Sequence, residues 1–563
     1  MATTALPIGR TRRRWHIFDV IQDYATTVDH KKIGQMYLGL TFFFFLLGGL
    51  MALLVRLELA FPGSRLLSPD MYNQLFTMHG TTMIFLFIIP MWAGMGNYFI
   101  PLMIGAADMA FPRINALSLW LLLTAGIVLE MGFVAGSGAA AGGWTGYTPL
   151  TEKTYSPTLS IDFWIIGLIL VGTSSLGGSV NFLVTLYRMR APGMSWFRIP
   201  MFAWSILTMS LMILFATPMI TGALIMLLAD RNLGAHFFDP ALNDTRLWQN
   251  MFWFYSHPAV YIMILPAFGI VSEIVPVFSG KPLFGYKAMA FATVGIALLG
   301  FTVWAHHMFA TGLTPVLQGF FMAATMLIAL PTGVKFFNWI ATMWYGNLRF
   351  DTPMLYAVGL MTMFLIGGIN GVFLALVPID WQMTDTYWVV AHIHYVLFGG
   401  SVFGIFAGLY YWLPKITGRM LSERLGRVQF WVMMIGFNLT FFPQHMLGLL
   451  GMPRRIYTYR ADLGFNTYNL ISTIGSQMIA LSVLIFLINF FISLRNGAIA
   501  GDDPWRANTL EWATSSPPPP HNFDVVPLVT SERPVRDRRI EREGRREAAK
   551  VKPSPADKQT IGS

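Results

Sequence analysis

Long apolar stretches alternate with short polar connections along most of this chain. A helix needs about 20 consecutive apolar residues to span the hydrocarbon core of a bilayer, and stretches of this kind recur between residues 35 and 495. The pattern predicts twelve membrane spans, at 35–57, 78–105, 116–137, 161–185, 200–228, 250–277, 286–309, 317–343, 354–377, 388–414, 428–448 and 473–495.

Composition supports an all-α, polytopic membrane protein. The 563 residues are 55% hydrophobic and 12% charged, whereas soluble domains carry roughly 25% charged residues. The chain has no cysteine, which excludes disulfides, thiolate metal sites and iron–sulfur clusters within it. The net charge of +10 does not indicate nucleic acid as a partner, because cytoplasmic loops of membrane proteins are rich in Lys and Arg.

Basic residues set the predicted orientation, since they mark the cytoplasmic side. They concentrate in the N-terminal segment and alternate loops, at 10–14, 188–198, 281–287, 349 and 415–427. An even number of spans returns the C-terminus to the same side. We predict three parts: a cytoplasmic N-terminal segment without a cleavable signal (1–34), one membrane domain (35–495) and a cytoplasmic, largely disordered tail (496–563).

Six of the eleven histidines stand inside apolar stretches, where an unsatisfied polar group costs several kcal/mol. A single intramembrane histidine is more often a hydrogen-bonding group between helices than a ligand. An adjacent pair and a pair separated by one residue instead favour metal ligation, because imidazole is the commonest metal ligand. The six are His79, His257, His306, His307, His392 and His394.

Helix geometry separates two of these histidines. At 3.6 residues per turn, His392 and His394 point about 200° apart and cannot share one metal. Their helix is therefore predicted to lie between two metal centres. His79 is the candidate partner for one of them, and two axial imidazoles on an iron porphyrin give a centre that only passes electrons.

The adjacent pair indicates a different site. His306 and His307 diverge by about 100° on a helix and, with His257, suit a three-imidazole site with an open coordination position. Tyr261 lies one turn after His257, either as a packed aromatic ring or as a phenol that donates a proton and an electron. Lys335 near mid-membrane costs about 2.5–3.5 kcal/mol and indicates a hydrated path, unless it reaches an interface.

Arg454, Arg455 and Arg460 lie between the last two spans, on the side predicted to be outside. They break the positive-inside pattern. One interpretation is three ordinary surface arginines. The other is that the adjacent pair binds buried carboxylates bidentately, as guanidinium groups do.

Five motifs are similar to subunit I of the heme–copper oxygen reductases, specifically the A-type cytochrome c oxidases. They are WFYSHPAVY (253–261), VWAHHM (303–308), PTGVK (331–335), VVAHIHY (389–395) and FPQHMLGLLGMPRR (442–455). The resemblance covers about residues 15–495. It implies the twelve-helix fold of that subunit, four-electron reduction of dioxygen to water with electrons from cytochrome c, and transmembrane proton pumping.

The resemblance assigns the six histidines to three centres: His79 and His394 to a low-spin heme, His392 to the high-spin, oxygen-binding heme, and His257, His306 and His307 to copper B. Tyr261 is expected to be covalently joined to His257 and to help cleave the O–O bond. The hemes are expected to be heme A, with heme O left open.

Further residues are implied around these centres. Arg454 and Arg455 pair with the heme propionates, Trp144 lies near them, and Arg56 contacts the formyl group of the low-spin heme. Glu58 matches a peripheral calcium or sodium site. Asp385 matches a magnesium ligand, but Thr384 replaces the histidine that usually shares this ion, which weakens the assignment.

Two proton routes are implied. One resembles the K-pathway, through Lys335 and Thr325 to Tyr261. The other resembles the D-pathway, which opens at a cytoplasmic loop carboxylate and continues inward past amides and hydroxyls. Its residues are Asp108, Asn97, Asn115, Asn181, Ser174 and Ser175.

The chain departs from the family pattern at the end of the second route. Ala259 stands where most members carry a glutamate, and a methyl group cannot hold a proton. Tyr255 and Ser256 instead give a YSHP pattern, similar to a second subfamily in which the tyrosine hydroxyl fills the space of the missing carboxyl group. Positions 255 and 259 are about one helical turn apart. We predict that Tyr255 relays protons and that pumping persists.

Three alternative functions stay open. A quinol oxidase of the same fold carries an Arg, an Asp and a His near the first two spans, where this chain has Leu47, Met51 and Met71 and keeps only Gln74. A nitric oxide reductase would lack the tyrosine one turn after the copper histidine. A membrane electron carrier or transporter would leave the adjacent histidine pair unexplained.

The expected partners follow from the same resemblance. A binuclear copper centre needs cysteines, so subunit II must supply it; subunit III and small subunits are also expected. Cytochrome c, dioxygen and a lipid membrane complete the set. The predicted location is the bacterial inner (cytoplasmic) membrane, with both termini cytoplasmic.

Overall fold

The computed structural model describes residues 17–551. Eleven of its helices are long and apolar enough to cross a membrane by length and composition, and a shorter apolar helix adds a twelfth segment. The twelve match the predicted spans one to one: α1 (His30–Glu58), α2 (Pro69–Ile104), α3 (Pro112–Phe133), α4 (Ser160–Arg188), α5 (Met201–Leu233), α6 (Arg246–Ser279), α7 (Tyr286–Gly300), α8 (Pro315–Met343), α9 (Thr352–Ala375), α10 (Tyr387–Thr417), α11 (Glu423–Leu449) and α12 (Asn466–Asn496). Within the described part, the strand-like pairing consists of two isolated backbone bridges.

Local sequence signals account for several helix ends. Asp29 caps α1, and its side chain accepts hydrogen bonds from the backbone amides of Lys31 and Lys32. Proline occupies the first turn of α2, α3, α8 and α9, where its missing N–H is not needed. Gly105 and Gly234 end α2 and α5 with φ values of 76° and 70°, a conformation that glycine adopts without steric cost.

α7 is shorter than its predicted span of 286–309. The helix ends at Gly300, and Trp304–Met308 form a 3-10 turn that carries His306 and His307. The prediction of a helix to residue 309 is therefore wrong. The sequence does not reveal this break, because most of the residues just after Gly300 are apolar, like those of the helix itself. Val303, Ala305 and Met308 are buried inside the bundle, and this burial accounts for their apolar character.

Two helices that carry candidate heme ligands contain π-helical stretches. Thr82–Ile88 follows His79 by three residues in α2, and Leu397–Val402 follows His394 by three residues in α10. A π stretch inside an α-helix is rare and is frequent at functional sites. Periodicity at 3.6 residues gives no sign of either.

The C-terminal segment packs against the helices. Its aromatic and aliphatic side chains are buried, and the Lys415 Nζ at the end of α10 donates hydrogen bonds to the carbonyls of Asp502 (2.9 Å) and Thr514 (2.7 Å). The prediction of a largely disordered tail is therefore wrong for residues 497–535, whose buried side chains include Trp505, Leu510, Trp512, Phe523 and Val529. A charged helix, Pro534–Val551, follows. The basic residues at 10–14 and the last residues of the tail, 552–563, lie outside the described residues.

The docking of this segment carries a pH dependence. Glu511 is fully buried, and burial raises the pKa of its carboxyl to about 7, although Lys415 favours the charged form. The folded protein therefore holds this proton more tightly than the unfolded chain, so stability falls as pH rises from about 4.5 to about 7. We expect Glu511→Gln to remove part of the fall in denaturation temperature between pH 5.5 and pH 8.

Glutamine keeps an oxygen for the hydrogen bonds that Glu511 accepts from Thr509 (2.7 Å) and Trp412 (3.3 Å). Glu543→Gln, at an exposed residue paired with Arg506, is the control. Identical pH slopes for Glu511→Gln and the unmodified protein would show that the Glu511 carboxyl does not titrate with folding.

Candidate metal centres and proton routes

Three histidines meet in the middle of the bundle. One ring nitrogen of each of His257, His306 and His307 lies within 4.8 Å of the others, and His257 Nδ1 is 3.2 Å from His307 Nε2. α6 supplies the first, and the 3-10 turn after α7 supplies the other two. Three neutral nitrogen donors that converge in this way fit a borderline transition metal with a free coordination position.

Neighbouring side chains fix the orientation of these rings, as metal-binding imidazoles require. The His306 Nδ1 lies 3.0 Å from the Thr325 hydroxyl. Trp253 stacks on His307 with ring centroids 3.7 Å apart and planes 12° apart. The predicted three-imidazole cluster is thus assembled, and Thr325 contacts it directly.

Tyr261 lies beside this cluster. Its ring centroid is 4.8 Å from that of His257, and the His257 Nε2 is buried without a hydrogen-bond partner in the described residues. The phenol ring also packs on Gly300, where a Cβ would lie 2.9 Å from Tyr261 Cδ2. The end of α7 therefore holds the phenol against the imidazole whose second nitrogen is unused.

His79 and His394 face each other across a second site. Their rings are 5° from parallel, with centroids 6.4 Å apart. The Nδ1 atoms contact the carbonyls of Gly48 (2.8 Å) and Val390 (2.8 Å), so the Nε2 atoms are left for a ligand. Two metal–nitrogen bonds of roughly 2 Å, added to the rings themselves, suit this separation. The two imidazoles would therefore suit a single heme iron as its ligands.

His392 is on the opposite face of α10, as its spacing from His394 predicts. Its Nδ1 lies 2.5 Å from Asn370 Oδ1 and 3.1 Å from the Gly367 carbonyl. Asn370 also places its Nδ2 2.8 Å from His445 Nε2. The ring is therefore held by α9, with Nε2 left for a ligand. Sequence reasoning missed Asn370 and His445, because nothing in local spacing links them to His392.

The three arginines between the last two spans have different partners. Arg454 pairs with Asp385 through Nε (2.8 Å) and one terminal nitrogen (2.5 Å). In the described part of the chain, Arg455 donates one side-chain hydrogen bond, to the Thr145 hydroxyl at 3.2 Å, and forms no ion pair. Burial, and after it the charge of Arg454, lowers the pKa of the Arg455 guanidinium to about 10. A partly buried cation without a counter-ion among the described residues suits an anionic ligand. Arg460 is exposed and pairs with Asp462, as an ordinary surface arginine does.

The remaining polar groups near these centres have unfilled hydrogen-bonding capacity. Arg56 donates to the Asn469 carbonyl at 2.9 Å, while its Nε and one terminal nitrogen are buried without partners in the described residues. Glu58 accepts from the Leu67 amide through one oxygen, and its other oxygen is buried and unpaired in the same sense. Trp144 stacks edge-on against Trp253, 5.9 Å away.

A carboxyl near the arginines was not predicted. Asp380 lies in a short helix, Val377–Met383, and burial, with a contribution from Asp385, raises the pKa of its carboxyl to about 7. Asp385 itself is mostly exposed and has a φ of 58°. Both hydrogen bonds from Arg454 go to the same oxygen of its carboxylate, Oδ1. An aspartate inside the otherwise apolar run before Asp385 was the signal available in the sequence.

Lys335 is buried, with 1% of its surface exposed. Its Nζ donates to the Thr293 hydroxyl at 2.6 Å and lies 5.9 Å from the centre of the Phe268 ring. Its burial inside the bundle counts against the alternative explanation, a lysine that reaches an interface. Besides Thr293, the Nζ has only a long contact of 3.4 Å to the Met289 carbonyl among the described residues. A buried ammonium with so few partners needs further polar contacts, which favours a hydrated path.

The predicted entrance carboxylate, Asp108, lies in the loop between α2 and α3. Burial raises the pKa of its carboxyl to about 6. Asn181 holds the same loop, since its side chain accepts from the Phe111 amide (2.8 Å) and donates to the Phe111 carbonyl (3.1 Å). Both side-chain polar atoms of Asn115, and the Oδ1 of Asn97, are buried without protein partners among the described residues. Such atoms are normally satisfied by water.

Deeper in the bundle, a small enclosed cavity connects two of the predicted groups. Tyr255 and Ser175 both line it, together with Thr217 and otherwise apolar side chains such as Phe85. Ser174 instead donates to the Ser118 carbonyl at 2.6 Å. The Ser256 hydroxyl is buried without a partner in the described chain. Tyr255 thus lines the same space as a serine of the predicted route.

The comparison with known proteins decides the family. A family model described as cytochrome c and quinol oxidase polypeptide I matches residues 32–479. The chain belongs to this family. The assignment made from the five motifs is confirmed, whereas the YSHP subfamily stays a prediction. Family membership implies heme and copper cofactors, and the three histidine sites described above fit them.

Relatives of this oxidase chain are similar over nearly their whole length. It is 51% identical over 512 residues to cytochrome c oxidase subunit 1 of Corynebacterium efficiens, covering 91% of this chain and 88% of the relative. It is 50% identical over 529 residues to the same-named protein of Thermostichus vulcanus, covering 94% of each. A solved heme–copper terminal oxidase dimer matches with a TM-score of 0.68 and 17% identity, over 83% of this chain and 85% of that one. That last likeness shows the fold alone and confirms the predicted fold class.

Proposed function

We propose that this chain is the catalytic subunit of a terminal respiratory oxidase that takes electrons from cytochrome c. Four electrons and four protons convert one dioxygen into two waters, and the reaction is coupled to proton translocation. The three-imidazole cluster beside Tyr261 carries the proposal. When bound, the hemes and copper supply electron transfer and oxygen activation; heme A is the expected form.

The ligand assignments made from the resemblance are part of this proposal. His79 and His394 hold the low-spin heme, His392 holds the high-spin heme, and the cluster holds copper B. The unused His257 Nε2 supports a covalent link to Tyr261. Such a link fixes the phenol where it donates a proton and an electron to the reacting oxygen.

Two proton routes reach these groups. Lys335 and Thr293 form the lower part of the first, and Thr325 lies at its upper end, against His306. The second starts at Asp108 and passes the amides of Asn97, Asn115 and Asn181. Ser174 and Ser175 lie further along it. It reaches Tyr255, which relays protons in place of the absent carboxylate, with Ser256 next to it.

Groups at the periphery complete the site. Arg455 binds a heme propionate beside Trp144, and Arg454 binds one once it has released Asp385. The unpaired nitrogens of Arg56 donate hydrogen bonds to the formyl oxygen of the low-spin heme. Glu58 has a free oxygen for a calcium or sodium ion. Magnesium at Asp385 is supported less well, because Arg454 already occupies one of its oxygens.

Assembly and location follow from the same function. Subunit II brings the binuclear copper centre, and subunit III and small subunits bind outside this chain. The protein resides in the bacterial inner membrane with both termini in the cytoplasm, and the division at residues 34 and 495 stays a prediction.

The structure gives the quinol-oxidase alternative little support. Gln74 is the one quinone-site residue kept, and its side chain already bonds the Asp70 carboxylate (2.7 Å) and the Ala139 amide (2.9 Å).

The test is the optical spectrum and donor specificity of the purified complex. We expect two heme signals after reduction, only one of which shifts with carbon monoxide, and rapid oxygen uptake with reduced cytochrome c. A single heme signal that does not respond to carbon monoxide would overturn the oxidase assignment. Faster turnover with a quinol than with cytochrome c would overturn the proposed donor.

A further inference from the structure

Asn522, in the C-terminal segment, is fully buried against the loop that carries the entrance carboxylate. Its Nδ2 donates to the carbonyls of Ala106 (2.8 Å) and Ala107 (3.2 Å), the two residues before Asp108. Its Oδ1 accepts from the Lys31 Nζ at 2.9 Å. One side chain therefore joins the Asp108 loop to the start of α1.

His30 extends this contact to the next residue of the route. The ring is fully buried, with Nδ1 2.7 Å from the Asn97 carbonyl and Nε2 2.9 Å from the Asn522 Nδ2. Asn522 is thus connected to the loop on one side and, through His30, to the Asn97 backbone on the other. It lies between the first two groups of the proposed entrance.

The surrounding tail holds Asn522 in this place. The Thr514 hydroxyl donates to the Asn522 carbonyl at 2.6 Å, and Lys31 also donates to the Pro520 carbonyl at 3.0 Å. The Asn522 φ of 66° is a left-handed conformation that asparagine tolerates better than most residues. Gly105, at the end of α2, packs so closely that a Cβ there would lie 3.0 Å from Val526.

We propose that Asn522 is a positioning residue for proton uptake: its amide fixes the Ala106–Asp108 backbone relative to His30 and Asn97, so that the entrance carboxylate is aligned with the amides behind it. The inference rests on the Asp108 route proposed above. Two charged groups at the start of α1 act on the Asp108 carboxyl in opposite directions, since Asp29 raises its pKa and Lys31 lowers it. A shift of this loop would therefore also change its charge environment.

Asn522→Gly is the informative variant, because glycine adopts positive φ without steric cost and the substitution removes the side-chain amide together with its methylene group. In the purified complex we expect proton uptake, followed with a pH-indicator dye, to be about tenfold slower. This is the loss that about 1.4 kcal/mol of misalignment produces. The kcat falls in parallel, while the KM for reduced cytochrome c and both heme spectra stay unchanged. Amides 105–109 exchange hydrogen faster.

His521→Ala, at the exposed neighbouring residue, is the matched control, and Asp108→Asn is measured alongside. Slow uptake in Asp108→Asn with normal uptake in Asn522→Gly would overturn this inference and leave the route intact. Normal uptake in Asp108→Asn would overturn the route itself. Altered heme spectra or a raised KM in Asn522→Gly would identify a general structural anchor instead and also count against the positioning role.

Discussion

Tyr255→Phe is expected to lower turnover by at least about tenfold and to abolish net proton pumping. The substitution removes one hydroxyl from the cavity that Tyr255 shares with Ser175 and Thr217. Ala259, one turn further along α6, offers no group that accepts a proton. After the substitution, protons must pass this point through the smaller hydroxyl groups of Ser175 and Thr217 alone, and general acid–base groups typically contribute 10²–10⁴-fold.

The measurement is oxygen consumption together with external acidification by reconstituted vesicles, with reduced cytochrome c as the donor. Tyr410→Phe is the control, because it also removes a buried tyrosine hydroxyl. This hydroxyl accepts from Asn489 of α12 and belongs to the last part of α10. The control should behave like the unmodified protein. Tyr255→Phe with normal turnover and normal acidification would remove Tyr255 from the proton route.

Asn370→Leu is expected to raise the reduction potential of the high-spin heme and leave that of the low-spin heme unchanged. The His392 Nδ1 then loses its 2.5 Å contact and keeps only the weaker one to Gly367. A hydrogen bond from the far nitrogen makes an imidazole a more basic, electron-donating ligand. Its loss favours the reduced iron and leaves the His445 Nε2 unsatisfied, which costs about 1–3 kcal/mol.

Asn370→Asp should move the same potential downward, because a carboxylate is a stronger acceptor than an amide. Spectroelectrochemical titration resolves the two hemes, and the low-spin heme serves as an internal control in every variant. Equal potentials in Asn370→Leu, Asn370→Asp and the unmodified protein would show that Asn370 does not act on His392.

The histidines were predictable because their cost in a membrane makes them conspicuous. Spacing alone placed His392 and His394 on opposite faces of one helix and grouped His306 and His307 with His257, as the structure has them. The same reasoning did not find Asn370, Asp380 or Asn522. Asn370 and Asn522 contact partners on other helices or loops, and no local periodicity reports such contacts. Asp380 stands alone in an apolar run without a motif around it.

Irregular backbone was likewise invisible in the sequence. The end of α7 at Gly300, and the π stretches in α2 and α10, consist of the same apolar residues as the regular helix around them. The tail was misjudged for a related reason. Its proline run and charged end suggest disorder, but Trp505 and Trp512, before the proline run, and Phe523, after it, are buried against the bundle.

The contact between His30 and Asn522 spans 492 positions of the sequence, and it also sets an order of events during biosynthesis. A ribosome makes the chain from the N-terminus, so α1 and the Asp108 loop are inserted in the membrane long before Asn522 exists. The contacts around the Asp108 loop are completed only when the last segment has been released. A chain truncated before residue 522 would contain all six histidines of the proposed metal sites and still lack the residue that we propose aligns the proton entrance.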